Sequence, residues 1–80
     1  MPRFYISFKG TKGLHKDRDG LELPGFEEAR AAAIASAREV LADDVKYASD
    51  DPMLAVIITN QDGKELARIP AKDILPEPLK

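Results

Sequence analysis

The chain has 80 residues, of which 44% are hydrophobic and 32% charged, with no cysteine and a formal net charge of −2. A chain of this length buries only about 60–65% of its unfolded surface, so one domain with one helix packed on one sheet is the core it can build. The composition excludes a disordered tract, and the lack of cysteine excludes a disulfide framework and thiolate chemistry.

Arg3 to Lys9 reads RFYISFK. Phe4, Ile6 and Phe8 alternate with Tyr5, Ser7 and Lys9, the period of a strand. The apolar run is broken by Ser7 and Lys9, so it falls short of the about 7–15 residues of a secretory core. No stretch approaches the ~20 apolar residues of a membrane span. A cytoplasmic protein without a membrane partner is expected. Gly10-Thr11-Lys12-Gly13 reads as a turn in which the glycines supply positive φ, and Leu14 to Asp17 as a short second strand completing a hairpin. Residues 1–18 carry five cations against one anion, a local charge of +4, whereas residues 19–80 carry −6. Such asymmetry marks either a face for an acidic partner or a solvated hairpin whose lysines discourage edge-to-edge pairing.

Asp19-Gly20 ends the hairpin, Leu21-Glu22-Leu23 is extended, and Pro24 keeps Leu23 out of the helical region. A helix follows over about residues 26–43. Gly25 is its N-cap, and Glu27 and Glu28 complement the positive end of its dipole. Seven alanines between Ala29 and Ala42 raise its propensity. Steps of 100° place Phe26, Ala29, Ala33, Ile34, Ala37, Val40, Leu41 and Val45 on one face, with Glu28, Ala31, Ala35, Glu39 and Ala42 opposite. Arg30 falls inside the apolar arc. It either snorkels to the rim or pairs with Asp17, Asp19 or Glu22 and pins the preceding loop.

Val45 to Pro52 is a polar connection. Met53 to Thr59, MLAVIIT, is apolar on both faces and reads as a central strand. Asn60-Gln61-Asp62-Gly63 is a hairpin turn, Lys64 to Ile69 is the last strand, and Pro70 ends it. The remainder is a tail, with Ile74 and Leu75 against the sheet. The order is β-β-α-β-β, an α+β fold. Connectivity favours an antiparallel sheet with strands in the order 2-1-3-4 and the helix on one face. If Leu54, Val56 and Ile58 face the helix, then Ala55, Ile57 and Tyr5 form an outer apolar patch, and a homodimer through the open face or an edge is expected.

No constellation carries catalysis. Aligning Gly20 with the sixth position of a calcium loop puts Asp17 and Asp19 on ligand positions but His15 at the first and Phe26 at the twelfth, so the loop reads as a turn. His15 shares a strand face with Asp17, a contact without a nucleophile, and one histidine with scattered carboxylates is too sparse for zinc. Gly10-Thr11-Lys12-Gly13 lacks the spacing of a phosphate-binding loop. No catalytic, cofactor or metal residue is assigned, and no cofactor is expected. The hairpin does interleave Phe4, Tyr5 and Phe8 with Arg3, Lys9, Lys12 and Lys16, a pattern that suits base stacking and phosphate neutralisation. With Phe4 and Phe8 on the core face, Tyr5 alone remains as a platform. The candidate partner-binding residues are Tyr5, Lys9, Lys12, Lys16 and Ile57.

Met1-Pro2-Arg3-Phe4-Tyr5, Asp17-x-x-Gly20-x-Glu22-Leu23-Pro24, the Glu27-Glu28-Ala29-Arg30 opening of the helix, and Asp62-Gly63-x-x-Leu66 before Ile69-Pro70 occur in order over nearly the whole chain. In this set the chain resembles a family of short proteobacterial proteins known as a domain of unknown function. Where that family often has a His near the end of the first strand and an Asp at the helix cap, this chain has Ser7 and Gly25. The resemblance implies no activity, substrate or cofactor. Leu23-Pro24-Gly25 and Glu27-Glu28-Ala29 are also similar to HicB-like antitoxins, which bind a small ribonuclease toxin. The expected function is a non-enzymatic protein-interaction or regulatory module that self-associates, binding itself or another protein. The alternatives are a HicB-like antitoxin and a weak nucleic-acid binder acting through the basic hairpin.

Overall fold

In the computed structural model, which describes residues 1–75, the chain runs β1 (Arg3–Gly10), β2 (Leu14–His15), β3 (Leu21–Glu22), α1 (Phe26–Lys46), β4 (Met53–Thr59), β5 (Glu65–Pro70) and α2 (Ala71–Ile74). The part of the expected tail beyond Leu75 lies outside the described residues. All strand pairs are antiparallel, in the order β2-β1-β4-β5, and β3 also pairs with β1. This is the expected α+β arrangement and strand order. The one addition is that the extended Leu21-Glu22 forms its own short ladder, with Arg3 opposite Glu22 and Phe4 opposite Leu21.

The core lies between the sheet and α1. Phe4 and Ile6 of β1 meet Val56 and Ile58 of β4, both fully buried, and Ile69 of β5. The helix supplies Ala29, Ala33 and Ala37, each 0% exposed. Spaced four apart, these small side chains share one face and let the helix approach the sheet closely. Ile74 of α2 closes the same cluster, so the segment after Pro70 is a short helix where a tail was expected.

Leu54 does not face the helix. Lys9 pairs with Ala55 but Gly10 pairs with Met53, so Leu54 is the extra residue of a β-bulge. The bulge turns Met53 into the core and leaves Leu54 50% exposed. A second bulge lies in β5, where Ile58 pairs with Ala67 and Thr59 with Glu65, leaving Leu66 unpaired and partly exposed.

The helix continues three residues past Asp43, to Lys46. Its 21 residues span about 31 Å, against roughly 25 Å for the longest strands. The last turn therefore overruns the sheet, and Val45, placed on the buried arc by the helical wheel, is 83% exposed. Ser49 N–H bonds to the Asp44 carbonyl at 3.0 Å and Ala48 N–H to the Val45 carbonyl at 3.4 Å. This pattern closes the helix around Ala48 at φ 49°, the left-handed position where glycine is usual. The Asp44 carboxylate then accepts the Met53 N–H at 2.9 Å, tying the helix end to the start of β4.

Candidate functional site

The segment from Lys16 to Leu23 returns along the free edge of β1 without pairing continuously. β2 covers Phe8 and Lys9, β3 covers Arg3 and Phe4, and the chain bows out between them. Asp17 fills the gap. Its carboxylate accepts the Ile6 N–H at 3.0 Å and the N–H groups of Asp19 and Gly20 at 3.1 Å, while its own N–H donates to Ser7 Oγ at 3.1 Å. Partial burial pushes this carboxyl up, but the three backbone donors together outweigh it and hold the group below its ordinary range. Asp17 is therefore occupied by the backbone and holds no partner at His15.

Arg3 clasps the same segment. Its guanidinium donates to the Asp19 carbonyl at 2.7 Å and to the Glu22 carboxylate at 3.0 Å, and Leu23 N–H reaches the Pro2 carbonyl at 3.1 Å. Pinning by Arg30 is thus replaced by pinning by Arg3. Arg30 is exposed and has no ion pair among the described residues. Gly20 sits at φ +72°, and a Cβ there would lie 2.8 Å from Arg3 Cγ, 2.9 Å from the Phe4 carbonyl oxygen and 3.0 Å from Tyr5 Cε1. The close approach of Gly20 is what seats the edge of the Tyr5 ring.

A groove of about 470 Å³ opens beside that ring, lined by Tyr5, Lys16, Arg18, Thr59, Asn60 and Gln61, with Asp17 and Gly63 completing it. The Asn60–Lys64 turn that forms its far wall is closed by its own hydrogen bonds. Asn60 Oδ1 accepts the N–H groups of Asp62 and Lys64, each at 2.9 Å, and Gly63 takes φ +82°. Gln61 Oε1 accepts the Arg3 N–H at 3.2 Å, locking the turn to β1. Lys9 lies on the same sheet face as Tyr5, two alternations along β1, and is exposed. Lys9, Lys16 and Arg18 have no ion pair among the described residues.

Of the residues singled out from sequence, Tyr5 and Lys16 come together in the groove and Lys9 flanks it. Lys12 points elsewhere, its ammonium 2.8 Å from the Asp50 carboxylate. Ile57 is only 6% exposed and Ala55 8%, so the outer apolar patch is already screened by its neighbours and Ile57 has little surface to offer. Arg18, Thr59 and Gln61 were not singled out. Arg18 counted toward the basic segment, but only the fold brings the turn after β4 alongside it.

A second cluster joins the first hairpin to the loop before β4. The Asp51 carboxylate accepts the Lys12 N–H at 2.8 Å and the Thr11 hydroxyl at 3.2 Å, and lies 3.0 Å from His15 Nε2. The Lys12 N–H and then the His15 contact hold the Asp51 carboxyl below its ordinary range. Gly10 does not take positive φ, as a turn glycine would, and neither does Gly13. Gly10 is required for space, because a Cβ there would collide with the Asp51 carboxylate. Arg68 forks onto Glu65 at 2.9 and 3.3 Å, and that contact lowers the Glu65 pKa. Among the described residues no three His, Asp or Glu side chains are grouped to hold a metal ion, and no helix is long and apolar enough to cross a membrane.

The chain belongs to the family described as Domain of unknown function (DUF6894), whose sequence model matches residues 3–72. That match spans the Arg3 clasp, the Asp17 loop, the helix and both later strands. No curated protein and no solved structure matches the chain, and the likeness to HicB-like antitoxins gains no support.

Proposed function

We propose that this member of the family is a non-enzymatic binding module that presents the open face of its sheet, and the groove beside Tyr5, to an anionic partner. The observation that carries this reading is the separation of charge. Lys16 and Arg18 line the groove beside a half-buried tyrosine and Lys9 lies farther along the same sheet face, each without an ion pair among the described residues. Asp19 and Asp62, next to the groove, are exposed and carry no ion pair among the described residues, but the other nearby acids are engaged. Asp17 is held by backbone donors, Glu22 by Arg3, Glu65 by Arg68, and Glu27 and Glu28 lie at the start of α1 across the sheet. A basic surface of this kind steers an anionic partner even on a molecule whose net charge is −2. Self-association through this face has less to support it, since Ala55 and Ile57 expose almost no apolar area.

The test is a charge reversal. Lys9→Glu, Lys16→Glu and Arg18→Glu together are compared with a helix-side control, Arg38→Glu with Lys46→Glu, in binding to fluorescent polyglutamate and to a fluorescent oligonucleotide. The proposal requires at least one polyanion to bind with an affinity that falls as salt rises, the sheet-face variant to lose it, and the control to keep it. Equal behaviour of the two variants, or no binding by the wild type at low salt, overturns it.

A further inference from the structure

We infer that the groove beside Tyr5 takes a single-stranded nucleic acid, with a base stacked on the Tyr5 ring and the flanking phosphates on Lys16 and Arg18. The inference rests on the binding-face reading above and names the partner class. The face holds more than charge. An acidic peptide needs only cations, but here an aromatic ring forms one wall of the groove and polar side chains of the β4–β5 turn form the other. Aromatic faces bind any base, and basic residues beside them track the backbone, which together make a sequence-tolerant single-strand site.

Three features prepare this site. Gly20 packs against the edge of the Tyr5 ring at a distance only a missing side chain permits. The opposite wall is fixed by the Asn60 hydrogen bonds within the turn. Gln61 is oriented by the contact of its Oε1 with the Arg3 N–H, which leaves its amide N–H groups as donors to a base edge. The volume, about 470 Å³, falls in the range of roughly 300–1,000 Å³ usual for small-ligand sites. Lys9, on the same face of β1, continues the basic residues toward the β1–β2 turn. A duplex keeps its base faces stacked on one another and leaves only their edges, sugars and phosphates exposed, so the tyrosine wall would be wasted on it.

The experiment measures fluorescence anisotropy with a labelled 12-nucleotide oligo(U), the duplex of the same length, and an acidic peptide of equal charge. Wild type, Tyr5→Phe, Tyr5→Leu and Lys16→Ala are each checked for folding by thermal melting. In a Tyr47→Phe background Tyr5 is the sole tyrosine, so quenching of its emission reports stacking directly. The expected result is preference for the single strand, quenching on binding, near wild-type affinity for Tyr5→Phe, and a loss of about 5- to 100-fold for Tyr5→Leu. Lys16→Ala should lower the slope of log affinity against log salt by about 0.7. If the acidic peptide or the duplex binds as tightly as the single strand, or if folded Tyr5→Leu binds it like wild type, the inference falls while the basic-face reading stands. If none of the three probes binds, both fall.

Discussion

The two edges of β1 are held by different chemistry. Toward β4, six consecutive residues from Tyr5 to Gly10 pair in a backbone ladder interrupted by one bulge. Toward the returning segment only two pairs form with β2 and two with β3, and side chains close the interval. The Asp17 carboxylate takes the Ile6 N–H that a strand carbonyl would otherwise accept, and Arg3 reaches across to Asp19 and Glu22. A ladder uses groups every residue carries, so it tolerates substitution wherever packing is kept. A seam made of side chains depends on particular residues and on their protonation. Arg3, Asp17, Gly20 and Glu22, which give the chain much of its recognisable pattern, all belong to the seam.

Substitutions can break each edge separately. Ile58→Ala removes a fully buried side chain on the ladder side and should cost about 3–4 kcal/mol, read as a shift in the urea midpoint at unchanged slope. The loss should be the same at pH 4 and pH 7, since no titrating group is involved. Gly20→Ala attacks the seam through its left-handed backbone and its contacts with Arg3, Phe4 and Tyr5, at about 2–3 kcal/mol. A melting temperature equal to wild type would show that the seam contributes little.

Asp17→Ala should cost about 2 kcal/mol, because a part-buried Ile6 N–H loses its acceptor. Its pH dependence has a definite sign. The folded pKa of Asp17 lies below its ordinary value, so its stabilisation is fully present above the unfolded value of about 3.9 and is lost as pH falls through the folded one. Asp17→Asn should therefore flatten the acid limb of the stability curve. An unchanged limb would place the acid sensitivity elsewhere. The smallest effect concerns the hairpin tip. Gly10→Ala should destabilise by about 1–2 kcal/mol, and by clearly less when Asp51→Ala is also present, because the collision is with that side chain. Additive losses in this double-mutant cycle would refute the account of Gly10.

The ladder was legible in the sequence and the seam was not. Alternation of Phe4 and Ile6, Asp62-Gly63 with its glycine at φ +82°, and Pro24-Gly25 before Phe26 are local signals, and they led to the observed strand order and helix start. The bulge at Leu54 defeats a period-2 reading, because one extra residue exchanges the faces on either side of it. The roles of Arg3 and Asp17 rest on contacts with atoms 11 to 19 residues away, and Arg30 was as plausible a partner by charge alone. The groove was legible only in half: Tyr5 and Lys16 carry a sequence signal, whereas Gln61 arrives through the register of β1 on β4.

Among the described residues the outer flank of β5 is unpaired, and this has a consequence for how these molecules behave in a crowd. A strand that ends a sheet displays N–H and C=O groups to any neighbouring chain, and with Ile57 and Ile58 one strand in, runaway sheet extension into fibrils would be the hazard. The bulge at Leu66 twists that flank out of register, Pro70 withholds a donor at its end, and the Arg68–Glu65 pair keeps charge along it. Straightening it, by deleting Leu66, would be expected to leave a better template for amyloid growth.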